Sequence, residues 1–225
     1  MSSTSRREAL RARFVSGGRR PVMGDAPRTL ARLSNARPVK VAALFTRADS
    51  VYRALGVECF DLARDARSFE LDCAVIAHPP CRAWSRLRTF AKPRPDEKDL
   101  ARWALHVVRH CGGVLEHPSG SALFREGGLP RPGSIERDSF GGWCLPVSQS
   151  WWGHRAEKRT WLYVCGVEPR DVPRMPLSLG RASHTCGSAV RDKSTRRPEI
   201  SKSEREHSPV AFAQWLVELA SRVTH

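Results

Sequence analysis

"AVIAHPPCRAWSRLR" (residues 74–88) decides how this chain is read. Ala74 to Ala77 are apolar without a break, so they leave no wet face. That is the pattern of a strand covered on both sides, as in a parallel sheet. Pro79 and Pro80 then end the strand and stiffen the chain before Cys81, Trp84 and Ser85, among which stand Arg82, Arg86 and Arg88. Ligands gather at the carboxyl ends of such strands, and nearby cations favour the thiolate of a cysteine. Prolines hold a nucleophile without further ordering cost, and Trp84 can pack beneath the loop or stack on a base. The competing reading makes Cys81 a small buried hydrophobe, the commonest fate of a cysteine. Two preceding prolines and three arginines favour the nucleophile.

Working outward, "VKVAALF" (39–45), "VECF" (57–60), "GVLEHP" (113–118) and "KRTWLYVCG" (158–166) predict further strands. Between them, "DSVYRALG" (49–56) predicts a helix capped by Asp49 and stopped by Gly56. "PDEKDLARWALHVVRHCGG" (95–113) predicts a longer helix that starts on Pro95 and acids and ends on two glycines. A short helix is expected in 119–128, and a closing helix over 208–223 with Ser208 as cap. Strands alternating with helices mean an α/β fold: a Rossmann-like, mostly parallel sheet with helices on both faces. Residues 1–38 read as a flexible basic arm and 39–225 as one domain, with 167–207 a loop-rich insertion. Asp61, Cys81 and Glu116 each fall at a strand end, the first sign of a site. Of the seven tryptophans, Trp103, Trp161 and Trp215 lie in apolar periodic contexts and are assigned to the interior. Trp151 and Trp152, beside Gly153, either stack on an extruded base or close the core, the core being favoured.

Charge points to a polyanion. The 225 residues carry 38 Lys and Arg against 23 Asp and Glu, a net charge of +15, and much of that excess falls in residues 1–40. Neutralising phosphates releases counterions, so nucleic acid is the natural partner. Seven cysteines without a CxxC read as reduced thiols in a cytoplasmic setting. His106 and His110 have a chelating spacing, but Cys111 falls on the apolar stripe and the histidines on its flank, so no metal is expected. No apolar run reaches membrane-span length, and the first residues lack a signal-peptide core.

The ordered set of strand–"PPC"–x–x–"WS", strand–"EHP" and "GHRAEKRTWLYVCG" resembles the DNA cytosine-5 methyltransferases, closest to the small divergent phage and bacterial type. The likeness spans roughly 40–166, and "SPVAFAQWLVELA" is similar to the family's closing motif. It implies a reduced methyltransferase-type fold acting on DNA. Cys81 would add to C6 of a pyrimidine. Glu116 would meet N3 and the exocyclic amine, and Arg159 would lie near O2. S-adenosylmethionine would supply the methyl group, with Phe45, Asp61 and Pro79 as its contacts. Arg82, Trp84, Ser85, Arg155 and Lys158 would face the substrate, His117 would either orient it or cap the turn, the cap being favoured, and a duplex base would be flipped out of its stack.

The chain also departs from that pattern. No glycine follows the first strand until Gly56, and Arg47 stands where a cofactor would need close backbone approach. His117 follows Glu116 in place of an asparagine. Two further readings therefore stay open: a pyrimidine-modifying enzyme with another donor, in which Arg47 holds a phosphate, and an inactive relative that binds DNA. RNA or a free nucleotide fits the same machinery.

Overall fold

The computed structural model describes residues 40–176, 178, 180–186 and 197–224. The arm expected at 1–38 and part of the 167–207 insertion lie outside them. In chain order the elements are β1 (Val41–Leu44), α1 (Val51–Ala54), β2 (Glu58–Phe60), β3 (Ala74–Ala77), α2 (Glu97–Cys111), β4 (Gly113–Pro118), α3 (Ala122–Glu126), β5 (Trp143–Ser148), β6 (Arg159–Cys165), α4 (Lys202–Glu206) and α5 (Val210–Ala220). One sheet of six strands has the order β2-β1-β3-β4-β6-β5. β1 runs parallel to β2 and β3, and β3 to β4, whereas β6 is antiparallel to both β4 and β5. The sheet is therefore mixed, parallel on one side of β4 and antiparallel on the other. From β1 the chain goes first to β2 on one side and then to β3 on the other, which opens a crevice at their carboxyl ends.

The sequence did not predict β5. Pro146 interrupts its apolar pattern, but β5 is an edge strand, where a missing N–H costs no ladder bond. Two helix caps also differ from expectation. α1 starts from Ser50 without a side-chain cap bond, and α5 starts from Pro209. Asp49 is drawn away by Arg47 and His207.

Both sheet faces are covered. On one, Ala104, Val107, Val108 and Cys111 of α2, with Trp84, pack against Leu44, Val75, Ala77, Leu115 and Tyr163. On the other, Tyr52 of α1 and Phe212, Leu216 and Leu219 of α5 pack against Ala43, Ile76, Val114 and Leu162. Each large apolar side chain so buried contributes about 2 kcal/mol. α2 holds its macrodipole well, with Glu97 and Asp99 in the first turn and Arg109 and His110 in the last. It stops at Gly112, and Gly113 follows at φ +119°, where a Cβ would stand 2.0 Å from the carbonyl oxygen of Val75. That close approach brings β4 level with β3 and sets the register of the strand ends. Among the described residues, no helix is long and apolar enough to cross a membrane.

Candidate active site

Successive strand residues point to opposite faces. Ala77 pairs with Leu115, so His78 and Glu116, one residue further along, share the face that carries Ile76 and Val114. There the Nδ1 of His78 lies 3.1 Å from Oε2 of Glu116, and Nε2 lies 2.9 Å from the hydroxyl of Tyr52. Tyr52 donating to Nε2 leaves Nδ1–H to donate to the carboxylate. On the other side, Nε2 of Gln149, from the turn after β5, donates to Oε1 of Glu116 at 3.2 Å and to Oγ1 of Thr160 at 3.2 Å. Four elements thus converge on one half-buried carboxylate.

Burial alone would raise the pKa of Glu116. The hydrogen bond and charge of His78, with the charge of Lys158, outweigh it and bring the carboxyl down to about 2. Lys158 lies just before β6, and its Nζ donates to the carbonyl of His207 at 2.9 Å. Burial lowers the pKa of Lys158, and the charge of Glu116 opposes that effect. The same burial, with the charge of Glu116, pushes Tyr52 well above its ordinary value.

Cys81 stands half-buried at the head of a tight turn, its carbonyl accepting from the amides of Trp84 at 3.0 Å and Ser85 at 2.8 Å. Burial first, and the charge of Glu116 second, raise its thiol pKa, while Lys158 pulls it down. The field expected from the arginines is not there. Arg82 pairs with the fully buried carboxylate of Glu97, the stem of Arg86 lies along Gly120, and Arg88 stands at the surface. Lys158 takes their place, and at rest Cys81 is a thiol beside an ionised carboxylate.

The other expected site residues divide by face. Arg159 is turned away from Glu116, because Lys158 and Thr160 occupy that face and a one-residue offset reverses direction. It is 72% exposed, its nearest carboxylate, that of Glu157, being 3.9 Å away. The substrate role expected of Arg155 is taken up instead by a bidentate pair with Glu204 of α4. His117 lies on the face opposite Glu116, fully buried, with Nδ1 2.7 Å from Oγ of Ser121. That hydroxyl also caps α3 by accepting from the amide of Leu123. Burial brings His117 down to about 4, so it is neutral, and its other nitrogen faces the carbonyl side of Pro79 and Pro80. His117 therefore ties β4 to the cap of α3 through Ser121, its Nε2 is buried without a hydrogen-bond partner among the described residues, and it is closed off from a substrate. Trp84 is fully buried beneath that loop, with Lys98 and Arg102 over its ring, and Pro79 is buried as well.

At the ends of β1 and β2 the expected cofactor contacts are already engaged. Asp61 accepts from Arg53 at 2.5 Å and from the amides of Ala63 and Arg64 at 3.0 Å. Tyr52, whose hydroxyl is bonded to His78, is 3% exposed. Arg47 is held by Asp49 at 2.8 Å and by Glu206 at 2.7 Å. Phe45 adopts φ +59°, the left-handed conformation for which a glycine would be expected, with its ring edge-on to Trp103. As they stand, these residues do not fit S-adenosylmethionine: both oxygens of the carboxylate that would hold a ribose are already engaged, and Arg47 and the left-handed Phe45 stand where a glycine turn would let the cofactor approach.

Sequence reasoning missed His78, Tyr52 and Gln149. His78 was legible in principle, since period-two alternation from Ile76 and Val114 brings 78 and 116 to one face. Tyr52 and Gln149 carried no local signal. Comparison of the chain with protein-family models, with curated proteins and with solved structures finds no match.

Proposed function

We propose that this chain is a pyrimidine-modifying enzyme of the cytosine-5 methyltransferase kind, with Cys81 as nucleophile and Glu116 as the group that holds the edge of the ring. The observation that carries the reading is the convergence at the carboxyl ends of β3 and β4 of a half-buried thiol and a half-buried, ionised carboxylate, with Lys158 acting on both. A parallel sheet that ends in the antiparallel strands β6 and β5 accommodates a reduced methyltransferase-type fold.

The protonation states suit an addition across the ring. Sγ of Cys81 forms a bond to C6 and the C5–C6 double bond opens, its electrons shifting towards N3. The thiol's proton passes to Glu116 and on to N3, so protons balance without an external base. A carboxylate with a pKa of about 2 accepts that proton only transiently, which suits a carrier better than a store. His78, backed by Tyr52, holds the carboxylate in line, and Gln149 fixes its second oxygen. The net charge of +15 supports a polynucleotide substrate, DNA in the first instance.

DNA containing 5-fluorocytosine, with S-adenosylmethionine supplied, tests this, because fluorine blocks release of the thiol once C5 carries the transferred group. The wild-type chain should form an adduct that survives denaturation, and Cys81→Ser should form none. Absence of any adduct across DNA and RNA, with unlabelled Cys81 by mass spectrometry, would sink the reading.

A second reading is favoured by the engaged residues at the β1 and β2 ends: the same attack on a pyrimidine with a donor other than S-adenosylmethionine. Calorimetry decides between them. Binding of S-adenosylmethionine that Asp61→Ala abolishes would restore the methyl donor, and absence of binding at high micromolar concentration would leave the second reading.

A further inference from the structure

Among the described residues many arginines are paired with acids, but three that are not line one groove. A groove of about 420 Å³ is lined by Arg88, Arg125 and Arg131, with Phe124 and Trp161, and no acidic residue contributes to its wall. All three arginines are exposed, and among the described residues none makes an ion pair. Contrast Arg47, Arg53, Arg64, Arg82, Arg109 and Arg155, each held by a carboxylate. Trp161 is partly buried, packed against the core at its margin, and its ring is met edge-on by the buried Phe124 at 5.3 Å. Trp161 pairs in register with His117, the residue after Glu116, and lies on the opposite face. The groove is thus distinct from the carboxylate site but adjoins the same edge of the sheet. Arg159 is on that face too, next to Trp161 but one.

We propose that this groove binds a single-stranded polynucleotide segment, with one base stacked on Trp161 and the adjoining phosphates held by Arg88, Arg125 and Arg131. Unpaired cations around a braced aromatic ring form the stacking platform and electrostatic funnel that single strands require. An acidic peptide would satisfy the arginines but would leave the indole face unused. The volume lies within the range of small-ligand pockets, which suits one nucleotide and not a duplex. The proposal rests on the preceding reading only in taking nucleic acid as the partner.

Binding of a fluorescent single-stranded thymidine oligonucleotide to the full chain tests it. Arg125→Glu with Arg131→Glu should weaken binding at least about tenfold and flatten the dependence on salt. Trp161→Ala should weaken it about tenfold without changing the salt slope, and Trp161→Phe should retain most of the affinity while removing part of the indole quenching. Unchanged affinity and slope in the double arginine variant would overturn the proposal. So would equal competition by polyglutamate, or preference for duplex with no effect at Trp161. An adduct on 5-fluorocytosine with no effect of the groove variants would remove the groove and leave the enzyme. Groove-dependent binding without any adduct would do the reverse.

Discussion

Burying an imidazole beside the nucleophile loop ties the stability of this chain to pH. His117 is fully buried and sits at about 4, against an ordinary value of 6.5, because desolvation disfavours its charged form. The unfolded chain takes up a proton at this residue below about pH 6.5, whereas the folded chain does so only below about pH 4. More protons are bound in the unfolded state throughout that window, so stability rises with pH across it and is lost as pH falls. The full shift is worth about 3 kcal/mol, and roughly 2 kcal/mol of it is lost between about pH 7 and pH 5. His154, also lowered by burial, acts in the same direction, so the comparison must isolate His117. In His117→Asn the side-chain oxygen can still accept from Ser121 while the titrating ring is gone. Urea unfolding of both chains at the two pH values should show the variant losing about 2 kcal/mol less than wild type on acidification. Equal losses would refute the reasoning, as would an imidazole resonance of His117 titrating near its ordinary value.

Removing the charge of Glu116 should ease ionisation of its neighbour, because that charge raises the thiol. In Glu116→Gln the pH profile of Cys81 alkylation should move to lower pH, and in Lys158→Met to higher pH; coincident profiles would show that the three groups do not interact. Arg82→Ala leaves the fully buried Glu97 with only Arg94, 3.9 Å away, and chemical denaturation should show a loss of about 2 kcal/mol. The double variant Arg82→Ala, Glu97→Gln should recover most of it, and no recovery would mean the arginine acts otherwise. At Phe45 the backbone sits at φ +59°. Phe45→Gly should therefore be more stable than Phe45→Ala by about 1 kcal/mol in thermal unfolding, the reverse of the usual order.

Much of the scaffold was legible in local pattern. Unbroken apolar runs at 41–44 and 74–77 marked strands buried on both sides, and Gly112 marked the stop of α2. The candidate site was legible only in part: Cys81 and Glu116 stood out as reactive groups at strand ends, but the cations around them could not be apportioned. Arg82, Arg86 and Arg88 lie next to Cys81 in sequence, and packing sends them respectively to Glu97, Gly120 and the surface. β5 was hidden by Pro146, which is harmless only because that strand lies at the edge.

By itself, then, the sequence determined where the chain is extended, where it is helical, and which strand end carries a thiol, because apolar periodicity, prolines and glycines act over a few residues. Tertiary structure alone decided that Lys158 and not Arg159 shares a face with Glu116, that Tyr52 and His78 stand behind that carboxylate, and that Arg88, Arg125 and Arg131 share one groove. The face a side chain takes depends on strand register, and register follows from pairings between segments dozens of residues apart. Which charge a buried acid receives is settled only when those segments close around it.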